Sequence, residues 1–252
     1  QKMPLWDYVI LTASNESQAQ SYRMQIQYRL DHGMLPKSIH YAVLPDPDGK
    51  RVGSGGATLN VLRYIHQDAG SFDDKRILVI HSGGDSKRVP QYSACGKLFS
   101  PVPRLLPNGR RSTLFDEFMI SMCGVAARIR AGMLVCSGDV LLLFNPLQID
   151  FYGSGAAALS IKEPAEIGKN HGVYRVDEQG NVGGFLHKKT VDQLHELQAA
   201  DENGNVDIDT GAVIMDTDLL KALYKLVDTP EQFDAYVNEN TRLSFYADFL
   251  YP

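Results

Sequence analysis

The chain has little cysteine and no long apolar run. Only three of its 252 residues are cysteines, Cys95, Cys123 and Cys136, and none forms a Cys-x-x-Cys pair. An odd number of scattered cysteines is a poor disulfide framework, which favours a reduced, cytoplasmic setting. No uninterrupted apolar stretch approaches about 18 residues, so we expect no membrane span. The first residues also lack the apolar segment of a secretory signal.

A basic excess is missing as well. The formal net charge is -5, which argues against a nucleic acid polymer as partner. Any anionic ligand must therefore be met by local cations. The hydrophobic content of 44% and charged content of 22% are typical of a globular protein with a sizeable core.

Apolar strand patterns alternate with helical patterns over roughly the first 150 residues. Ser14 or Asn15 is a candidate cap for a first helix that ends at Gly33, and Gly132 is placed to stop a later one. The predicted strands are LWDYVILTAS, RILVI, GMLVCSGDVLLLF and GAAALSIKEP, and the later helices are ATLNVLRYIHQDAG and TLFDEFMISMCGVAARIRAG.

The later part of the chain predicts a hairpin and a final strand-helix unit. HGVYRVDEQGNVGGFLHKK alternates around a turn, and DIDTGAVIM runs into a helix capped by Thr217 or Asp218. The end is predicted to be helical and then extended. We expect an α/β, Rossmann-like fold with a mixed, mainly parallel sheet flanked by helices and a late antiparallel hairpin. Residues 1–252 are predicted to be one domain, cut from a longer chain.

Two glycine-rich stretches punctuate this pattern. GKRVGSGGATLN opens a predicted helix, and HSGGDSKRVP follows the buried strand RILVI. Both stretches leave backbone N–H groups exposed, and the second stretch adds Lys87, Arg88 and, further on, Lys97. Each alone could be a tight turn with solvated cations, and neither matches the P-loop or GxGxxG pattern. Their pairing favours nucleotide binding by Gly53, Ser54, Gly55, Gly56, Ala57, Thr58, Gly83, Gly84, Ser86 and Lys87.

An acidic residue follows the third predicted strand. Asp139 stands where LVCSGDVLLLF leaves the sheet. Carboxylate and phosphate oxygens together suit Mg²⁺, whereas an isolated aspartate there could also be a turn residue. Asp209 and Asp248 are the candidates for a second ligand.

These motifs resemble those of sugar nucleotidyltransferases. HSGGDSKRVPQYSACGKLFSPVP is similar to their Gly-Gly-x-Gly-Thr-Arg…Pro-Lys loop, and CSGDV resembles their metal-binding strand. With GSGGATLNVL, the hairpin, DIDTGAVIM and LSFYADFL, the chain resembles the L-fucose-1-phosphate guanylyltransferase family over nearly its whole length. It departs from the general pattern at Asp85-Ser86-Lys87, Gly96-Lys97 and His187-Lys188-Lys189.

The resemblance implies a nucleotidyltransferase fold and the joining of GTP to L-fucose 1-phosphate with release of pyrophosphate. It implies catalytic roles for Arg88, Lys97 and Asp139, and Mg²⁺ on Asp139 with Asp248. Glu163, Lys188 and Asp209 would line the sugar side. Relatives of this kind carry a β-helical region and, in bifunctional forms, a sugar kinase. The alternatives are another base or sugar, or a non-catalytic nucleotide-sugar-binding module attached to a kinase. For His81 and Trp6 we expect structural roles.

Overall fold

A computed structural model describes residues 5–82, 97–138, 151 and 154–249. Its main sheet has eight strands, and a separate pair forms a small second sheet. The strands are β1 (Tyr8–Ala13), β2 (His40–Pro45), β3 (Arg76–His81), β4 (Pro101–Leu105), β5 (Arg111–Thr113), β6 (Gly132–Ser137), β7 (Ala156–Pro164), β8 (Gly172–Val176), β9 (Val182–His187) and β10 (Asn205–Met215).

Helices connect these strands and cover the sheet. Asn15 caps the first of them, as predicted, by accepting a hydrogen bond from the Gln18 N–H. The helices are α1 (Glu16–Asp31), α2 (Gly53–Ala69), α3 (Leu114–Cys123), α4 (Ala165–Gly168), α5 (Val191–Glu196), α6 (Thr217–Tyr224) and α7 (Pro230–Tyr236). Within the described ranges, no helix has both the length and the apolar character needed to cross a bilayer.

The first half of the main sheet is parallel. Strand β1 pairs with β2 on one side and β3 on the other, and β3 pairs with β6, all in parallel. Every residue of β1 is buried because helices pack on both faces of the sheet. The carboxyl ends of four parallel strands therefore meet at one edge, where α/β folds bind ligands.

The second half of the sheet is antiparallel. Strand β10 runs antiparallel to β6, β7 and β8, and β8 forms a hairpin with β9. A third apolar cluster, which includes Val173, Leu194 and Val206, covers one face of this half. The mixed α/β architecture and the late hairpin were predicted from the sequence, and both predictions are confirmed.

Several predicted boundaries are wrong. Helix α3 ends at Cys123, and a separate 3-10 turn, Ala126–Arg128, continues the apolar pattern without continuing the helix. Gly132 does not stop a helix; it opens β6 with a φ of 129°. Asp216, not Thr217 or Asp218, caps α6 because its side chain accepts the Leu219 N–H.

The end of the chain and one sheet edge also differ from expectation. Phe245–Phe249 forms a helical turn where an extended segment was predicted, since Phe245 is buried against α2. Strand β2 was not predicted at all. It lies at the edge of the sheet and Val43 is its one fully buried residue, so the sequence carries little strand pattern there.

Candidate functional site

A polar cavity opens at the carboxyl ends of β1, β2 and β3. Its volume is about 420 Å³. Backbone and side chains from three strand ends, the 47–51 turn and the first turn of α2 surround it. The lining residues are Thr12, Ala13, Ser14, Asn15, Asp46, Gly49, Arg51, Gly53, Ser54, Ala57 and His81.

His81 joins three elements at the floor of this cavity. Its Nδ1 lies 3.0 Å from Thr12 Oγ1 on β1, and its Nε2 lies 2.9 Å from Thr58 Oγ1 on α2. Both threonines are buried. The imidazole therefore ties the first turns of α2 to the ends of two neighbouring strands.

The hydrogen bonds of Thr58 fix the tautomer of His81. Thr58 Oγ1 donates its one hydrogen to the Ser54 carbonyl at 2.8 Å, so it can only accept from the imidazole. Nε2 then carries the proton, and Nδ1 accepts from the Thr12 hydroxyl. Burial lowers the pKa of His81 to about 4, so the ring stays neutral near pH 7. Both ring nitrogens are engaged, which fits the predicted structural role and not proton transfer.

The first glycine-rich stretch is helical from Gly53 onward, so GSGG forms the first turn of α2 and not a loop before it. Gly53 has a φ of 80°, and a Cβ there would come within 2.3 Å of the Leu243 carbonyl oxygen. The Gly55 N–H donates to that carbonyl at 2.7 Å, and Ser54 Oγ accepts from the Phe245 N–H at 2.9 Å. Close packing of the 243–245 segment therefore requires glycine at position 53.

The six predicted nucleotide-binding residues of this stretch thus divide between two faces. Ser54, Gly53 and Ala57 line the cavity. Gly55 faces the 243–245 segment, since a Cβ there would come within 2.8 Å of Leu243 Cβ. Gly56 packs against Val52, and Thr58 is buried behind the turn beside His81.

The second glycine-rich stretch leaves the sheet beside the same cavity. Ser82 donates from Oγ to the Thr12 carbonyl at 2.5 Å, and the Gly138 N–H donates to the His81 carbonyl at 2.7 Å. The residues that directly follow β3 and β6, Ser82 and Gly138, are thereby held next to each other. The predicted site residues Gly83, Gly84, Ser86, Lys87, Arg88 and Asp139 lie outside the described residues.

Lys97 begins a 3-10 turn, Lys97–Phe99, that is anchored by its two apolar residues. Leu98 and Phe99 are buried, and the Phe99 ring lies about 5 Å from the rings of Tyr22 and Phe115. The backbone at Lys97 is consequently fixed against α1 and α3.

The predicted sugar-side residues lie on the antiparallel half of the sheet. Asp209 Oδ1 accepts from the Tyr174 hydroxyl and from the Gly211 N–H, both at 2.8 Å. Asp209 pairs with Ser160, and Glu163, three residues after Ser160 on β7, pairs with Val206 on β10. Because side chains alternate along a strand, Glu163 and Asp209 point to opposite faces. Lys188 is exposed after β9, with a φ of 49°.

Asp248, the predicted second metal ligand, lies in the turn Phe245–Phe249. Its Oδ2 accepts the Ser244 N–H at 2.6 Å, and the side chain is exposed. No group of three or more histidine, cysteine, aspartate or glutamate side chains able to hold a metal ion occurs within the described ranges.

Asp46 was missed by the sequence analysis. It follows β2 directly and lines the cavity, with its N–H bonded to the Ala13 carbonyl at 2.8 Å. Burial raises the pKa of its carboxyl to about 6, while the Val52 N–H and the Arg51 charge act in the opposite direction. The signal that singled out Asp139, an acid directly after a strand, applies equally to Asp46 once β2 is recognised.

Comparison with known proteins places the chain in a family. The model of the fucose pyrophosphorylase domain matches residues 69–252. The chain belongs to the fucose pyrophosphorylase family. The match begins at the end of α2 and includes β3, β6 and the whole antiparallel half of the sheet, so the predicted family resemblance is confirmed.

Relatives in this family are longer than the chain. A bifunctional fucokinase/GDP-fucose pyrophosphorylase of Arabidopsis thaliana is 31% identical over 84% of this chain and 23% of its own length. A fucose-1-phosphate guanylyltransferase of Mus musculus is 30% identical over 97% of this chain and 46% of its own length. The chain thus spans less than half of either fucose pyrophosphorylase relative.

Among solved structures, the chain has a distant match to HddC from Yersinia pseudotuberculosis complexed with GMP-PN. It is 16% identical to this chain, with a TM-score of 0.34 over 96% of this chain and 85% of HddC.

Proposed function

We propose that the chain transfers a guanylyl group from GTP to L-fucose 1-phosphate, giving GDP-L-fucose and pyrophosphate. The observation that carries this proposal is the fucose pyrophosphorylase match over residues 69–252. The polar cavity at the carboxyl ends of parallel strands supports it, because this is where α/β sheets bind ligands.

The proposed reaction needs no covalent enzyme intermediate. An oxygen of the sugar phosphate attacks the α-phosphorus of GTP in line, the bond from that phosphorus to the β-phosphate oxygen breaks, and pyrophosphate leaves. The protein aligns two anions and neutralises the charge that develops on the leaving group. Arg88 and Lys97 are proposed for this neutralisation, and Lys97 stands on an anchored turn suited to holding a fixed position.

The nucleotide is proposed to occupy the cavity beside α2. Ser54 and Ala57 face it, and the start of a long helix favours negative charge nearby. Backbone N–H groups of Gly83 to Lys87 are proposed to hold phosphates next to the exit at Ser82.

Mg²⁺ is proposed to be held by Asp139 with Asp248. The exposed carboxylate of Asp248 offers the hard oxygen that this ion prefers, although its Oδ2 already accepts the Ser244 N–H. When bound, the ion would neutralise charge on the phosphate oxygens.

The sugar phosphate is proposed to lie over the antiparallel half of the sheet. Asp209, held by Tyr174 and Gly211, presents a fixed carboxylate suited to a sugar hydroxyl. Lys188 and Glu163 stay predicted sugar-side residues. We further propose a cytoplasmic protein in which a β-helical region, and a sugar kinase as in the bifunctional relative, accompany this domain.

The test is a substrate panel. The purified chain is incubated with Mg²⁺, L-fucose 1-phosphate and each of GTP, ATP, UTP and CTP, and pyrophosphate release is followed. Mannose 1-phosphate and galactose 1-phosphate replace the fucose derivative in parallel reactions. We expect release to be fastest with GTP and L-fucose 1-phosphate.

Two outcomes would overturn the proposal. Faster turnover with another base or sugar would retain a nucleotidyltransferase but change its substrates. GTP binding without pyrophosphate release from any pair would instead indicate a non-catalytic nucleotide-binding module.

A further inference from the structure

Asp46 presents a rigidly placed carboxylate to the cavity. Its N–H donates to the Ala13 carbonyl at the end of β1, and its carbonyl accepts the Gly49 N–H at 3.0 Å. The backbone is thus held on both sides, between a strand end and the turn that leads to α2. Such clamping gives the carboxylate a defined position relative to anything bound in the cavity.

The Asp46 carboxylate is short of hydrogen-bond donors. Its one hydrogen bond comes from the Val52 N–H; within the described ranges no side-chain donor bonds to it, and Arg51 acts only as a nearby charge. Asp116 is the contrast: Arg29 Nε and Nη2 bond to its two oxygens at 2.7 and 3.1 Å, and the pKa of Asp116 is lowered. A partly buried carboxylate gains most from a ligand that supplies two parallel N–H groups.

The position of Asp46 along the sheet edge limits which part of a nucleotide can reach it. The strand order is β2-β1-β3-β6, so the end of β2 lies three strand spacings, about 14 Å, from the end of β6. A carboxylate repels phosphate, and an extended nucleoside triphosphate is long enough to cross this distance. The base end of the nucleotide therefore fits at Asp46, with the phosphates towards β3 and β6.

Among the common bases, guanine matches this carboxylate. Its N1–H and N2 amino group are adjacent donors that two carboxylate oxygens can accept together. Adenine presents an acceptor at N1, and uracil flanks its single N–H with two carbonyl oxygens. A carboxylate at this point would attract guanine and repel both alternatives.

We propose that Asp46 selects guanine by accepting hydrogen bonds from its N1–H and N2 amino groups. The inference rests on the proposed function, which names the nucleotide but assigns no residue to the base. It makes Asp46 a specificity-determining residue at the edge of the cavity, apart from the groups proposed to act on the phosphates.

The test exchanges one acceptor for a donor on the protein and one donor for an acceptor on the base. Asp46→Asn replaces one carboxylate oxygen by an NH₂ group, which suits xanthine because xanthine has a carbonyl oxygen where guanine has its amino group. The affinities of GTP, ITP, XTP and ATP for the parent and the variant are measured by calorimetry at pH 7.5. ITP lacks the N2 amino group and tests that contact alone.

The expected result is a reversal of preference. The parent should bind GTP more tightly than ITP and XTP. Asp46→Asn should weaken GTP by about 10- to 100-fold, in the range of a lost bidentate base contact, and should strengthen XTP. Asp48→Asn is the matched control: Asp48 lies in the same turn, exposed and with a φ of 55° that asparagine tolerates, and should leave every affinity unchanged.

The outcomes separate this inference from the proposed function. If the parent binds GTP and forms GDP-fucose but Asp46→Asn keeps the parental preference among nucleotides, the assignment of Asp46 is wrong. An equal loss for all four nucleotides would also reject it, since the contact would then lie on ribose or phosphate. If the parent binds no nucleotide, both ideas fail. Thermal unfolding controls for folding, and the neutral variant should be no less stable than the parent.

Discussion

His81, half-buried at the floor of the cavity, makes stability depend on pH in a defined way. The pKa of His81 is about 4 in the folded chain and about 6.5 when exposed. Between these values the unfolded chain binds more protons, so stability falls as the pH falls. At about 1.4 kcal/mol for each tenfold change in proton affinity, the full effect is about 3 kcal/mol, of which about 2 kcal/mol is lost by pH 5.

The perturbation is His81→Gln, which keeps a donor and an acceptor in the side chain but removes the titrating group. Urea denaturation of the parent and the variant is compared at pH 7.5 and pH 5. The parent should lose about 2 kcal/mol more than the variant over this interval. The raised pKa of Asp46 acts in the opposite direction below pH 6, but it is common to both proteins and cancels in the difference.

Exposed His187 provides the control, because His187→Gln removes a histidine that solvent already reaches. This variant should follow the parent at both pH values. Equal losses for the parent and His81→Gln would refute the reasoning, since His81 would then titrate alike in the folded and unfolded chains.

Four further predictions concern packing and chemistry. Gly53→Ala should cost about 1–3 kcal/mol more in urea denaturation than Gly70→Ala, which has a similar φ but no atom within 4 Å of the added Cβ. Arg29→Met should cost about 3–5 kcal/mol because it leaves Asp116 buried without its partner, and adding Asp116→Leu should recover most of that loss. Lys97→Ala should lower turnover by about 100-fold with little change in urea midpoint. Asp139→Asn should raise the Mg²⁺ concentration needed for half-maximal activity; an unchanged Mg²⁺ dependence would transfer the metal role to another acid.

Local signals in the sequence predicted the parts of the fold that depend on local interactions. Asn15 was a predicted cap because its side chain needs only the next turn of helix to accept a hydrogen bond. The strand β3 was predicted from an uninterrupted apolar run, which is typical of a strand covered on both faces. Strand β2 carries no such run and was not predicted. Asp46 was therefore not recognised as an acidic residue that directly follows a strand.

Contacts between distant parts of the chain decided what the sequence could not predict. Gly53 lines the cavity, as a predicted nucleotide-binding residue would, but its missing side chain also makes room for Leu243, which follows it by 190 residues and was not expected there. The pairing of β7 with β10 places Glu163 and Asp209 on opposite faces, because Glu163 pairs with Val206 and Asp209 pairs with Ser160. Neither feature has a local signature.

Transfer of the α-phosphorus tests the central claim most directly. The chain is incubated with Mg²⁺, L-fucose 1-phosphate and GTP labelled at the α-phosphorus, and the products are separated. The account predicts that the label appears in GDP-fucose, that the pyrophosphate is unlabelled, and that neither product forms without the sugar phosphate. Label recovered only in GTP, or in GMP or GDP independently of L-fucose 1-phosphate, would contradict it.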